Sequence, residues 1–218
     1  FIFYSMKRLI HLLLLVFFTG FTALATHNRA GEITYRALDT INTPCLKYEI
    51  TVTIYTKCQS AADRCVLTVN FGDGTSAEFP RMNGPIAPQS DGCNYLSAHT
   101  CPAGIGMGEI IIPNTTKKSI YKGVHSYIGP GNWWLSMEDP NRNSNIINLG
   151  GGGGMSVNIP FYIKTLLVIN PLIGNNSSPV LLYPPIDNAC QGKCFYHNPA
   201  AFDPDGDSLS YELTTCLA

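Results

Sequence analysis

The ten residues LKYEITVTIY (46–55) alternate with a period of two. Leu46, Tyr48, Ile50, Val52 and Ile54 fall on one side, and Lys47, Glu49, Thr51, Thr53 and Tyr55 on the other. Side chains of an extended chain point to opposite faces in turn, whereas a helix would scatter these apolar residues around its circumference. The stretch is therefore a strand with one buried face, and its β-branched residues suit that role. The same reading fits 31–38, 66–71, 108–113, 119–127, 132–138 and 157–169. Gly, Pro, Asn and Asp clusters separate these runs at the spacing of a sandwich, and no segment after residue 25 carries a convincing helical period. The expected fold class is all-β.

The chain start is of another kind. MKRLIHLLLLVFFTGFTALA (6–25) has two basic residues, an apolar run and the tripeptide Ala23-Leu24-Ala25. That order is a secretory signal peptide cut after Ala25, and the run is short for a hydrocarbon core of about 30 Å. Residues 1–25 are set aside as the signal peptide with its upstream residues, and no later run reaches membrane-spanning length. Without Lys7 and Arg8 the 14 basic residues become 12, against 15 acidic ones, a net charge near −3. Nothing in this balance suggests a polyanion partner, so no nucleic acid partner is expected.

All eight cysteines follow residue 25, and an even number in an oxidising compartment points to disulfides. Proximity suggests Cys58 with Cys65 and Cys93 with Cys101, each closing a short loop. A zinc site at Cys190, Cys194 and His197 lacks a second ligand pair at suitable spacing. Residues 81–107 form a polar, Gly/Pro-rich insertion that needs a staple. The glycines at 150–154 lack the Lys-Ser/Thr of a phosphate loop and read as a spacer. Residues 173–185 read as a linker, and 186–218 as the start of a second β module that is mobile unless it docks on the first.

Two motifs carry polar chemistry within the first module. NFGDGTS (70–76) reads as a tight turn in which glycines permit positive φ and Asp73 bonds backbone amides; no partner for catalysis at Asp73 is evident. HSYIGPGNWWLSMEDP (125–140) places His125 and Tyr127 on one face, turns at Pro130-Gly131, and restarts inward with Trp133, Leu135 and Met137. Together they resemble a PKD domain, an immunoglobulin-like β-sandwich, which implies such a fold over 26–172 and a packed or hydrogen-bonded role for His125. Phe71 and Trp133 stand where that family often has Trp and Tyr.

The motifs THNRAGEITYR, SAADR, FGDGT, EDPNRN, VNIPFYIKTLLVINPLIGNNSSPVLLYPPIDNAC and HNPAAFDPDGDSLSYELTTC extend the likeness. They resemble the N-terminal region of large secreted or gliding-motility-associated surface proteins of Bacteroidetes, exported through a type IX system. The resemblance implies a non-enzymatic structural or adhesive module, secreted or at the cell surface, with an extracellular glycan or protein as partner. The alternative is an accessory PKD-type domain of a secreted hydrolase. His27, Arg29 and Glu32 read as a solvated edge at the exposed chain start.

FDPDGDSLSYEL (202–213) holds the one metal candidate, Asp203, Asp205 and Asp207. The spacing begins as an EF-hand loop does, but Ser208 and Thr214 stand where Gly and Glu are required. SLSYEL alternates as a strand, with Leu209, Tyr211 and Leu213 on one side. An acidic loop entering a strand resembles the opening of a cadherin-like module, where such a sequence often helps bind calcium at a domain junction. Hard oxygen ligands on a short loop suit calcium, and the same spacing suits an Asx-type turn. A glycosidase pair would instead have to flank a cleft.

Overall fold

The computed structural model describes residues 28–38, 45–58, 63–85, 101–102, 104–112, 115–144, 146, 149, 155–185, 192–194, 196–198 and 200–214. Residues 1–25, His27, Cys93, Cys190, Cys216 and the glycines at 150–154 lie outside them. Ten strands and one short 3-10 turn make up the regular structure of these residues.

Two antiparallel sheets form the body. In the first, β1 (Asn28–Ala37), β2 (Lys47–Lys57), β6 (Thr116–Ser126) and β5 (Glu109–Ile112) lie in the order 1-2-6-5. In the second, β4 (Ser76–Pro80), β3 (Val66–Asn70), β7 (Gly131–Asp139) and β8 (Phe161–Ile169) lie in the order 4-3-7-8. The seven strands read between residues 31 and 169 are present, and β4 adds the far arm of the NFGDGTS hairpin. The expected strand at 157–169 is shorter. Met155–Asn158 is a 3-10 turn, and β8 begins only after Pro160, which has no N–H to give a ladder.

The alternation decides which side chains meet between the sheets. Tyr48, Ile50, Val52 and Ile54 of β2 pack with Val69, Phe71, Phe79, Tyr121, Leu135, Met137 and Leu167 in one buried cluster, with Leu46 and Trp133 against its margin. Thr53 and Tyr55, expected on the open face of β2, are buried as well. They lie opposite Glu32 and Ile120, and Ala30 and Lys118, respectively, whose side chains share that outer face.

Past Pro80 the chain changes sheets. Arg81 bridges to Tyr121 of β6, and Met82 N–H donates to Ile120 O at 2.8 Å. The two ends of the insertion are then zipped together: Gly106 N–H donates to Arg81 O, Gly108 N–H to Asn83 O and Met107 N–H to Pro85 O. The staple is not the one proximity suggested. Cys101 is bonded to Cys65 across 36 residues, which excludes the Cys58–Cys65 and Cys93–Cys101 pairings, and Cys58 is in a disulfide of its own. The entry to β3 and the return of the insertion are neighbours in space, and that outweighs their distance in sequence.

SLSYEL is not a strand. Residues 208–214 have no ladder partner among the described residues, with Tyr211 66% and Leu213 102% exposed. Alternation is necessary for a half-buried strand, but without a neighbour to bond and a face to cover it does not produce one. The pairing that does form is the two-residue ribbon of β9 (Val180–Leu181) and β10 (Ala201–Phe202).

Candidate functional site

The segment after β8 lies along β1, the end strand of its sheet. Ser178 N–H donates to Tyr35 O at 2.9 Å, and Tyr35 N–H donates to Ser178 Oγ at 2.8 Å. Cys45 N–H donates to Asn175 Oδ1 at 2.6 Å, and Leu181 N–H to Glu32 Oε2 at 3.3 Å. The Tyr35 pair uses up edge groups of β1 that would otherwise invite another strand. Burial pushes the Glu32 carboxyl above its ordinary range, offset in part by the Leu181 N–H and by Lys118.

The β9–β10 ribbon sets the acidic loop against this segment. Asp203 is buried, and its Oδ1 accepts the N–H groups of Asp205 at 2.9 Å and Asp207 at 3.3 Å. Gly206, at φ 84°, supplies the left-handed step of this Asx turn. Asp205 Oδ2 accepts Ser177 N–H at 2.5 Å. With its amide nitrogen turned inward, Asn176 donates to Asp205 Oδ2 at 3.1 Å and to Asp207 Oδ2 at 3.2 Å. Between loop and sheet is a cavity of about 160 Å³ lined by Thr34, Arg36, Glu49, Thr51, Val180 and Pro204.

The structure thus brings Asp203, Asp205 and Asp207 into one turn and directs two of them at backbone donors. Calcium takes six to eight oxygens. Among the described residues no group of three or more His, Cys, Asp and Glu side chains is placed to hold a metal ion. Asp203 closes the turn on itself, and Asp205 and Asp207 are acceptors that fasten residues 176–177 to the loop.

A second polar cluster sits at one end of the sandwich, and sequence reasoning missed its central contact. Gly72 and Gly74 take φ of 81° and 88°, and Asp73 Oδ1 accepts Thr75 N–H at 2.9 Å and Thr75 Oγ1 at 2.6 Å, as a tight turn requires. Asp73 Oδ2 lies 2.7 Å from His125 Nε2. The imidazole stacks on Phe71, centroids 3.9 Å apart and planes 9° from parallel, and meets Tyr127 edge-on at 4.6 Å. Tyr127 OH donates to Phe71 O at 3.1 Å. Desolvation pushes the Asp73 carboxyl up, but the hydrogen bonds from the Thr75 hydroxyl, His125 and Thr75 N–H outweigh it and hold the group below its ordinary range.

A carboxylate that orients an imidazole is half of a nucleophilic triad. The adjoining hydroxyls, however, donate elsewhere, Thr75 to Asp73 and Tyr127 to a backbone carbonyl. Neither is aligned as a nucleophile on His125, and the contacts that are present hold the turn and stack the imidazole on Phe71. Fifty-two residues separate Asp73 from His125, and only the strand order places the 71–75 turn beside the end of β6.

The remaining motif residues make contacts between segments. Arg64 of SAADR donates to Asp139 of EDPNRN at 2.8 Å. Asn28 N–H donates to Asn141 O and Asn143 N–H to Asn28 O, both at 3.2 Å, while Arg142 donates to Pro160 O. Arg29 and Glu32 are part of β1 and half-buried, so the expectation of a solvated edge there is corrected. No helix among the described residues is long and apolar enough to cross a membrane. Comparison with protein-family models, with curated proteins and with solved structures gives no match.

Proposed function

We propose that this chain is a non-enzymatic extracellular module, an immunoglobulin-like sandwich of the PKD kind, with a structural or adhesive role on a secreted or surface protein. The observation that carries the reading is the pair of strand orders, 1-2-6-5 against 4-3-7-8. Relabelled by chain position these are A-B-E-D and C′-C-F-G, the arrangement of immunoglobulin-type sandwiches. The long-range disulfide supports export, because such bonds persist in oxidising compartments. The polar motifs support a non-catalytic role, since their side chains are engaged in turns, stacking and edge cover.

An adhesive role needs an open face. On the outer side of the 4-3-7-8 sheet Trp134 is 50% exposed, with Lys164 Nζ 4.2 Å from its ring centroid. Ser136 and Glu138 follow on the same strand face. An exposed indole among polar groups suits a glycan or a protein loop.

The test is to incubate the purified protein with glycan and extracellular-protein arrays and, separately, with polysaccharide and peptide substrates. Retention on an array, weakened by Trp134→Ala, with no turnover is the expected result. Sustained hydrolysis of any substrate overturns the reading.

A further inference from the structure

Asp63 leads into β3, Arg81 follows β4 and Lys117 stands near the start of β6, so three segments from the two sheets meet here. All three side chains are buried. Each oxygen of the Asp63 carboxylate takes one cation: Oδ1 receives Arg81 Nη1 and Oδ2 receives Lys117 Nζ. Arg81 is fixed in turn, donating from Nε to Gly106 O at 2.7 Å, from Nη1 to Ser119 Oγ at 3.3 Å and from Nη2 to Cys101 Sγ at 3.1 Å.

Two cations on one carboxylate, away from water, form a costly arrangement. A guanidinium keeps its proton in proteins, whereas an ammonium that is desolvated and beside another cation gives its proton up readily. The reactive form is the neutral pair, reached when one proton passes along the bond from Lys117 Nζ to Asp63 Oδ2. What results is a neutral amine facing a carboxyl whose other oxygen is held by a fixed guanidinium. These are a nucleophile and an electrophile with a donor already placed for the oxyanion.

We propose that Lys117 Nζ and Asp63 Cγ condense to an intramolecular amide that cross-links the two sheets. One proton passes from the ammonium to Oδ2. The amine then attacks Cγ, forming the C–N bond, while Arg81 holds the negative charge that develops on Oδ1. A second proton passes from nitrogen to Oδ2, the C–O bond breaks and one water leaves. An ammonium and a carboxylate become a neutral amide and water, with no oxidant, reductant or cofactor.

Two features drive the step. The fold holds the reacting groups together, replacing a bimolecular encounter by an intramolecular one. The product also replaces a buried ammonium and carboxylate by one neutral amide, while Arg81 stays charged and keeps its donors on the amide oxygen, Gly106 O and Ser119 Oγ. The link lies beside Cys65–Cys101 and, unlike it, survives thiol reduction.

Intact mass spectrometry of the purified full protein, reduced and denatured after N-terminal sequencing has fixed its start, tests this. The expected mass is that of the sequence less one water, and digestion should yield one branched peptide containing Asp63 and Lys117. Asp63→Ala and Lys117→Arg should restore the full mass, and Asp63→Asn should lose ammonia instead. An unshifted mass in cooperatively folded wild-type protein overturns the proposal, as does a water loss mapped to other residues. Should the variants fail to fold, the wild-type peptide map decides alone.

Discussion

Replacing both Cys65 and Cys101 by serine removes a cross-link that closes a loop of 36 residues. In the chain-entropy account such a loop costs the unfolded chain about 13 cal/mol/K, or about 3.8 kcal/mol at room temperature. The disulfide at Cys58 and the contacts around Asp63 restrict neighbouring stretches already, which brings the expected loss to about 2–4 kcal/mol. For a domain of this size each kcal/mol moves the melting temperature by about 2–4 °C, so a fall of about 4–15 °C is expected. Serine is the informative replacement, because a hydroxyl at 101 still accepts from Arg81 Nη2 and isolates the covalent link from the polar network. Thermal unfolding followed by circular dichroism and calorimetry reads the change. A fall of less than about 2 °C would refute the reasoning, since it falls below even the smallest of these estimates. It would show that Arg81 and the zipped segments at 81–85 and 106–108 already hold the insertion closed.

Three further outcomes follow from particular contacts. In Gly123→Ala the new Cβ would stand 2.0 Å from Phe79 Cε1 and 2.4 Å from Cδ1, in the core, so urea unfolding should show a loss of about 1–3 kcal/mol. Asp73 titrates below its ordinary 3.8 in the folded protein, so its contribution is full above that pH and is lost as pH falls through the folded value; Asp73→Asn should flatten this limb of the stability curve. Asp205→Ala deprives Ser177 N–H of its acceptor, and hydrogen exchange should quicken at Ser177 and Ser178, while the melting temperature should be the same in calcium and in chelator.

The alternating runs were legible because a strand facing a core on one side leaves a two-residue period in the sequence. Leu135 and Met137 show this, as does Tyr48 on β2. Contacts between distant segments leave no such trace. Loop closure costs only slightly more as the loop lengthens, so proximity was a poor guide to the partners of Cys65 and Cys101. The Asp73–His125 contact depends on strand order, which a period does not contain. SLSYEL failed in the opposite direction: its pattern is that of a strand, but the described structure offers it no partner. The Asp203 loop lay between these cases, for its spacing predicted a turn as well as a metal site, and which of its oxygens face backbone N–H groups is a matter of docking.

The placing of the directional contacts has a physical logic. An apolar core is non-directional, and two sheets packed through Ile50, Val52, Leu135 and Leu167 alone would have little to set their relative position. Lys117 and His125 are eight positions apart on β6, which separates them by about 27 Å along the strand. At the Lys117 end the Asp63 and Arg81 contacts and the Cys65–Cys101 bond tie the sheets together. At the His125 end the ties are Asp73 and the Tyr127 hydroxyl on Phe71 O. Along the β1–β8 side, Tyr35 OH donates to Leu166 O at 3.1 Å, and burial pushes that phenol up to about 12, so it stays a donor at physiological pH. Contacts at both ends and one side fix both the translation and the rotation of one sheet on the other. Each involves a polar group whose burial without a partner would cost more than the bond itself contributes, and so the pattern excludes the shifted packings that an apolar core would tolerate.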